Sequence, residues 1–271
     1  MAILQSFYQL HNGIHMPKLG LGTYQLKNGD ETYHAVLEAL KAGYRHIDTA
    51  IIYQNEVSVG KAIKDSKVPR ESIFITSKVP PHIKTYEGTL RFFERSLKQL
   101  DLEYIDLYII NAPNPYDQPD KNFDQENIEV YRALEKLYAE ERVTAIGVSN
   151  FEVRDLELII KHCEIVPHVN QIYFYLGNDQ DELLHFCHAK GIMCQAYSPL
   201  GQGKILNDPE IVKMSEKYHV SSAQLALKYV IESGCAPIPK SSNKQRIIEN
   251  SQLDFILSKE DYNRLKSIKK A

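Results

Sequence analysis

The sequence predicts an α/β protein, a single (β/α)8 TIM barrel spanning residues 1–271 with an N-terminal β-hairpin closing its bottom, and three observations lead there. Eight short apolar runs alternate with longer amphipathic segments, a pattern that an antiparallel sandwich does not produce. Polar side chains gather just after those runs, where parallel barrels build their sites. The stretch Leu19-Gly-Leu-Gly-Thr-Tyr continues without the third glycine of a dinucleotide fingerprint, which disfavours a doubly wound open sheet.

Taken in order, Phe7 to Met16 reads as a short hairpin, with Asn12-Gly13 as a two-residue turn that tolerates positive φ. The eight apolar runs are Leu19–Gly22, Tyr44–Ile47, Ile73–Thr76, Ile105–Ile110, Ala145–Val148, His168–Gln171, Met193–Ala196 and Cys235–Ile238. Between them the spacing predicts helices over Glu31–Lys41, Glu56–Lys64, Thr85–Leu100, Asn127–Glu140, Glu152–Lys161 and Asp179–Lys190, and a double segment over Pro209–Glu232. No repeat or flexible linker divides the chain. The longest non-periodic connection, Asn111 to Glu126, has the length expected of a functional lid.

Composition narrows the function. The net charge of −3 and the lack of a Lys/Arg run give no field for a phosphate backbone, so no nucleic-acid partner is expected. No apolar run is long enough to span a bilayer and no leader pattern opens the chain, so the expectation is a cytoplasmic protein with no membrane partner, monomeric or weakly dimeric. Cys163, Cys187, Cys194 and Cys235 lack Cys-x-x-Cys spacing and read as packed free thiols. His185 and His188 lie three apart on a polar helix with no further ligands, so no metal is assigned.

The chemistry falls in Tyr44-Arg-His-Ile-Asp-Thr-Ala-Ile-Ile-Tyr-Gln-Asn-Glu56, where Asp48 and Tyr53 follow an apolar run. Lys78 closes the next strand at the same end of the sheet. A lysine held between an Asp and a Tyr would lower the phenol pKa and make Tyr53 a proton donor near neutral pH. The plainer reading makes Asp48 a helix cap and Lys78 a surface charge. The other strand ends speak against it: Asn111, Ser149-Asn150, Asn170-Gln171, Tyr197-Ser-Pro-Leu and Pro239-Lys-Ser complete a ring of polar ends.

These stretches resemble the aldo-keto reductase family over nearly the whole chain. The resemblance rests on Gly20-Leu-Gly-Thr-Tyr, Tyr44-Arg-His-Ile-Asp-Thr-Ala with Tyr53-Gln-Asn-Glu, Ser77-Lys78, Gly147-Val-Ser-Asn-Phe, Tyr197-Ser-Pro-Leu-Gly, and Ile238-Pro-Lys-Ser with Arg246-Ile-Ile-Glu-Asn. It implies an NADPH-dependent oxidoreductase, with NADH the less favoured cofactor, acting on small carbonyl substrates. Tyr53 would donate the proton, Lys78 would lower its pKa, and Asp48 would orient Lys78. Ser149, Asn150 and Gln171 would hold the nicotinamide carboxamide and Tyr197 would stack on the ring. Gly22, Thr23, Asp48, Ser198 and Leu200 would complete the cofactor site. Lys240, Ser241 and Arg246 would grip the 2′-phosphate, and Glu249 and Asn250 the adenine. A Lys, a hydroxyl and an Arg in one loop also suit a phosphomonoester on chemical grounds, Arg supplying a planar fork.

The chain departs from the family's pattern around the substrate. Asn111 stands for the usual histidine, Ala112 for the following aromatic and Pro80 for the aromatic two past the lysine. Tyr173 and Tyr175 replace the common Glu and His, Tyr24 is the surviving pocket aromatic, and there is no Trp. Tyr24, Tyr53, Pro80 and Asn111 are the expected substrate contacts. The expected activity is reduction of aldehydes, less well of ketones. The alternative is a cofactor-binding redox sensor or regulator of the same family, with catalysis weakened by Asn111.

Overall fold

The computed structural model describes residues 2–178 and 180–268; Asp179, the expected first residue of one helix, lies outside them. Eight strands pair in sequential order, all parallel: β3 (Leu21–Gly22), β4 (His46–Asp48), β5 (Phe74–Val79), β6 (Ile105–Ile110), β7 (Val143–Ser149), β8 (Val169–Tyr173), β9 (Met193–Tyr197) and β10 (Cys235–Pro237). The first and last strands are brought together by Gly20 N and Gly22 N, which each donate at 3.1 Å to Pro237 O and Pro239 O. Gly22 is required there, because a Cβ would sit 2.7 Å from Ile238 O.

Ahead of the barrel, β1 (Phe7–Gln9) and β2 (His15–Pro17) form the hairpin. Its turn differs from the two-residue expectation. Leu10 N bonds to Ile14 O and Gly13 N to Leu10 O, so His11-Asn12-Gly13 is a three-residue loop with Gly13 at φ +89°. Asn12 is used for packing instead, its Nδ2 donating to Thr144 O and Tyr138 OH. Leu10 and Met16 of this hairpin join Phe74, Leu107, Ile109, Ala145, Val169 and Ala236 in one buried cluster. That cluster fills the strand interior at the end opposite the polar residues, as expected of a plug.

The helices in sequence are α1 (Asp30–Ala42), α2 (Glu56–Ser66), α3 (Tyr86–Leu100), α4 (Asp124–Ala139), α5 (Val153–His162), α6 (Asp181–Ala189), α7 (Pro209–Lys217), α8 (Ser222–Glu232), α9 (Lys244–Glu249) and α10 (Lys259–Lys266). Their apolar faces and the outward faces of the strands form the main core. Caps set several boundaries: Thr85 accepts from Gly88 N before α3, and Ser221 and Gln224 form a capping box before α8. The sequence reading missed α10, although Ser258, whose side chain accepts from Asp261 N, marks its start. Cys187, Cys194 and Cys235 are buried and Cys163 half-buried, all as free thiols.

Candidate active site

The C-terminal strand ends open into a cleft of about 1030 Å³. Its lining includes Gly22, Tyr24, Asp48, Tyr53, Asn111, Ser149, Asn150, Gln171, Tyr197, Ser198, Leu200, Lys240, Ser241, Arg246, Glu249 and Asn250. The register explains the convergence at one edge: Gly22 pairs with Asp48, Asp48 with Thr76, and Ser149 with Gln171. Three expected residues lie outside the lining. Lys78 is behind it. Thr23 is fully buried and donates to Asp48 O at 3.0 Å. Pro80 is also set back, because β5 runs on through Val79 and Pro80 begins the turn toward α3, accepting from Ile83 N.

Asp48 and Lys78 are 2% and 1% exposed and face each other at 2.6 Å. Lys78 Nζ also donates to Thr49 O at 2.8 Å, and Gln171 Nε2 donates to the second Asp48 oxygen at 2.7 Å. Gln171 continues to Gln195, Gln195 to His46, and His46 to Thr76, a polar chain across the barrel interior. Burial draws Asp48 up and Lys78 down toward neutrality, and the charge of each partner opposes the other's shift. Burial and the charge on Lys78 also keep His46 neutral, its pKa pushed down to about 3. Asp48 caps no helix, and Lys78 is not a surface charge.

Tyr53 ends a single turn of 3-10 helix, Ile51–Tyr53, closed by Gln54 at φ +60°. The side chain of Asn55 ties this turn to the first strand loop, donating to Thr23 O and Leu26 O and accepting from Thr49 Oγ1. Lys78 Nζ lies 4.9 Å from the Tyr53 ring centroid. The expected lowering of the phenol pKa is not what this geometry produces. Burial pushes Tyr53 well above its ordinary value, with the nearby Asp48 carboxylate adding to the rise. Such a phenol keeps its proton through neutral pH. Two Lys78 N–H groups are used and the third has no acceptor among the described residues. It is therefore available to negative charge developing on Tyr53.

Asn111 follows β6 and is nearly buried. Its Nδ2 donates at 2.6 Å to the hydroxyl of Tyr116, so its side chain is not spent on local backbone as in a simple turn. Its carbonyl accepts from Asn150 Nδ2 at 3.0 Å, and Asn150 Oδ1 accepts from Tyr197 OH at 2.7 Å. Tyr197 stacks on Tyr173, with centroids 5.4 Å apart. Tyr24 packs on Tyr53 at 5.1 Å and is 54% exposed at the cleft mouth. Ala112, where the family's pattern has an aromatic, and Tyr116 line the cleft from the 111–123 loop. Tyr116 was not foreseen as a site residue, and only the length of that loop signalled it.

At the other end of the cleft, Lys240 and Arg246 are exposed and make no ion pair among the described residues. Ser241 is buried between them, its hydroxyl accepting from Asn243 N. Two uncompensated cations and a hydroxyl fit an anionic group. Asn150 spends its amide on Asn111 O, Ser149 Oγ and Tyr197 OH, whereas Gln171 Oε1 accepts from no protein group among the described residues and, beside the Ser149 hydroxyl, fits a carboxamide. The residues present thus fit a nicotinamide dinucleotide.

A sequence model of the aldo/keto reductase family matches residues 18–270. The chain belongs to that family. A glyoxal reductase of Bacillus subtilis is 45% identical over 268 residues, covering 98% of this chain and 94% of that one. A 9,11-endoperoxide prostaglandin H2 reductase of Trypanosoma cruzi is 45% identical over 93% of this chain and 87% of its own length. Among solved structures, an aldo/keto reductase from Brucella melitensis superposes with a TM-score of 0.91 at 44% identity, covering 97% of this chain and 99% of that one. A Bombyx mori aldo-keto reductase in complex with NADP gives 0.88 at 34% identity, over 97% and 92%. As an aldo-keto reductase the chain is an oxidoreductase of carbonyl and alcohol groups, in a family that uses nicotinamide cofactors. Among the described residues no helix is long and apolar enough to cross a membrane.

Proposed function

We propose that this aldo-keto reductase reduces aldehydes, and ketones less well, to alcohols with NADPH as the hydride source, in the cytoplasm. The observation that carries the reading is the Asp48–Lys78 pair buried behind Tyr53, at the floor of a cleft whose far end holds Lys240 and Arg246 unpaired. When bound, the reduced nicotinamide supplies a hydride. Tyr53 gives its proton to the carbonyl oxygen. Lys78, held charged by Asp48, stabilises the phenolate left behind through its charge and its spare N–H. Ser149, Asn150 and Gln171 take the carboxamide, Tyr197 backs the ring, Gly22, Ser198 and Leu200 shape the channel, and Thr23 steadies the Asp48 backbone from behind it. Lys240, Ser241 and Arg246 receive the 2′-phosphate, and Glu249 and Asn250 the adenine. Similarity to a glyoxal reductase supports small reactive aldehydes as substrates.

The sensor alternative is not favoured. Burying an ion pair costs several kcal/mol per charge, and a scaffold kept only for binding gains nothing from that pair beside a phenol. Purified protein mixed with NADPH and a panel of aldehydes should consume the reduced cofactor, followed by its absorbance. In Tyr53→Phe, kcat should fall by about 10²–10⁴-fold with NADPH affinity unchanged. A variant retaining most of its turnover would remove Tyr53 from the chemistry.

A further inference from the structure

The position beside Tyr53, where the family's histidine is replaced by Asn111, is occupied from an unexpected direction. Tyr116, five residues after Asn111 in the 111–123 loop, is 68% exposed overall, yet its hydroxyl reaches back to accept from Asn111 Nδ2 at 2.6 Å. An oxygen that accepts there must direct its own hydrogen elsewhere, and no acceptor for it exists among the described residues. Tyr116 lines the cleft and lies close enough to Tyr53 and Tyr197 for their charged forms to repel one another. Its loop is fastened at the base: Lys84 Nζ donates to Ala112 O at 3.1 Å, Pro113 O at 2.7 Å and Asn127 Oδ1 at 2.8 Å. Asn127 Nδ2 adds a bond to Pro113 O at 3.0 Å.

We propose that Tyr116, oriented by Asn111, is a second hydrogen-bond donor to the substrate carbonyl oxygen, a catalytic role that rests on the carbonyl-reductase reading above. The carbonyl carbon receives the hydride, the carbonyl oxygen receives the Tyr53 proton, and Tyr116 keeps its own proton while bonding the developing alkoxide. Accepting from the Asn111 amide polarises the Tyr116 O–H and strengthens it as a donor. Asn111 therefore acts through Tyr116 as a positioning residue. The device is neutral throughout and suits substrates whose carbonyl carbon is already electrophilic.

The test is Tyr116→Phe, assayed on an aldehyde in the full-length protein with NADPH. Because the side chain is largely exposed, the variant should fold with its melting temperature unchanged. Its kcat should fall by about 10- to 100-fold, part of what a complete oxyanion donor is worth, with KM and NADPH affinity within about threefold of the parent. Placed in an Asn111→His background, where an imidazole can donate directly, the same substitution should cost less than about threefold. A Tyr116→Phe protein with parental kcat, or one whose loss lies wholly in KM, would overturn the proposal and leave Tyr116 a wall of the cleft. Tyr53→Phe run alongside separates the readings: if it too is active, the proton-donor reading fails as well; if it alone is dead, only the role of Tyr116 fails.

Discussion

At the scale of single residues, the site depends on charges placed where water cannot reach them. Lys78 and Asp48 are nearly inaccessible and face each other at 2.6 Å. Removing one partner from such a pair strands the other. Lys78→Met should therefore cost about 3–5 kcal/mol of unfolding free energy at neutral pH, measured by denaturant titration. The stranded Asp48 should then bind a proton in the folded state more readily than in the unfolded chain, so the variant should regain stability as the pH falls. Lys78→Met with Asp48→Asn should recover much of the loss. A single variant within about 1 kcal/mol of the parent would show that water reaches the pair.

At the scale of elements, the segment from Pro239 through α9 sets cofactor choice. Lys240 lies three residues past the end of β10, and the Asn243 side chain starts α9 by accepting from Arg246 N, which sets Arg246 on the first turn over the cleft. Neither cation has a protein counter-charge among the described residues, so an incoming phosphomonoester displaces no ion pair. Arg246→Ala should weaken NADPH by about 1.5–3 kcal/mol, the worth of a hydrogen bond to a charged group, and leave NADH nearly unaffected. Titration of both cofactors by fluorescence checks this. Equal weakening of the two would move the phosphate site elsewhere.

The whole molecule carries a buried acid in the layer between barrel and helices. Glu56 of α2 accepts from Ser77 of β5 at 2.6 Å, with Ser96 of α3 and Tyr108 of β6 buried beside it. Burial pushes the Glu56 carboxyl up from 4.5 to about 7, with Ser77, Ser96 and Lys78 opposing the rise. The folded protein then binds more protons than the unfolded chain between those values, so this group's contribution to stability is present at low pH and lost as the pH rises through about 7. The loss is of order 3 kcal/mol, at about 1.4 kcal/mol per pH unit. Glu56→Gln keeps an acceptor for Ser77 and should flatten the stability profile between pH 4.5 and about 7, read by thermal unfolding across that range. An unchanged slope would place the titration on another group.

The family, the barrel and the set Asp48, Tyr53, Lys78 and Asn111 were legible in the sequence because each follows from local order: an apolar run, then a polar end. Ile105–Ile110 was read to the residue, since β6 is bounded by polar residues on both sides. Elsewhere the apolar run and the strand part company. Lys78, Val79 and Tyr197 are strand residues because backbone bonding to neighbouring strands continues past the hydrophobic stretch. The α10 helix escaped notice because its only buried apolar position is Leu265, too few to make a periodic stripe. What only the tertiary structure decided is which polar groups meet. Lys84 reaching Ala112 and Pro113, Gln171 reaching Asp48 across 123 positions, and Tyr116 folding back onto Asn111 are matters of chain return, set by loop closure and packing. The pKa of Tyr53 belongs there too. Sequence shows a lysine near a tyrosine, but burial and the counter-charge of Asp48 determine that the phenol holds its proton, and neither has any one-dimensional signature.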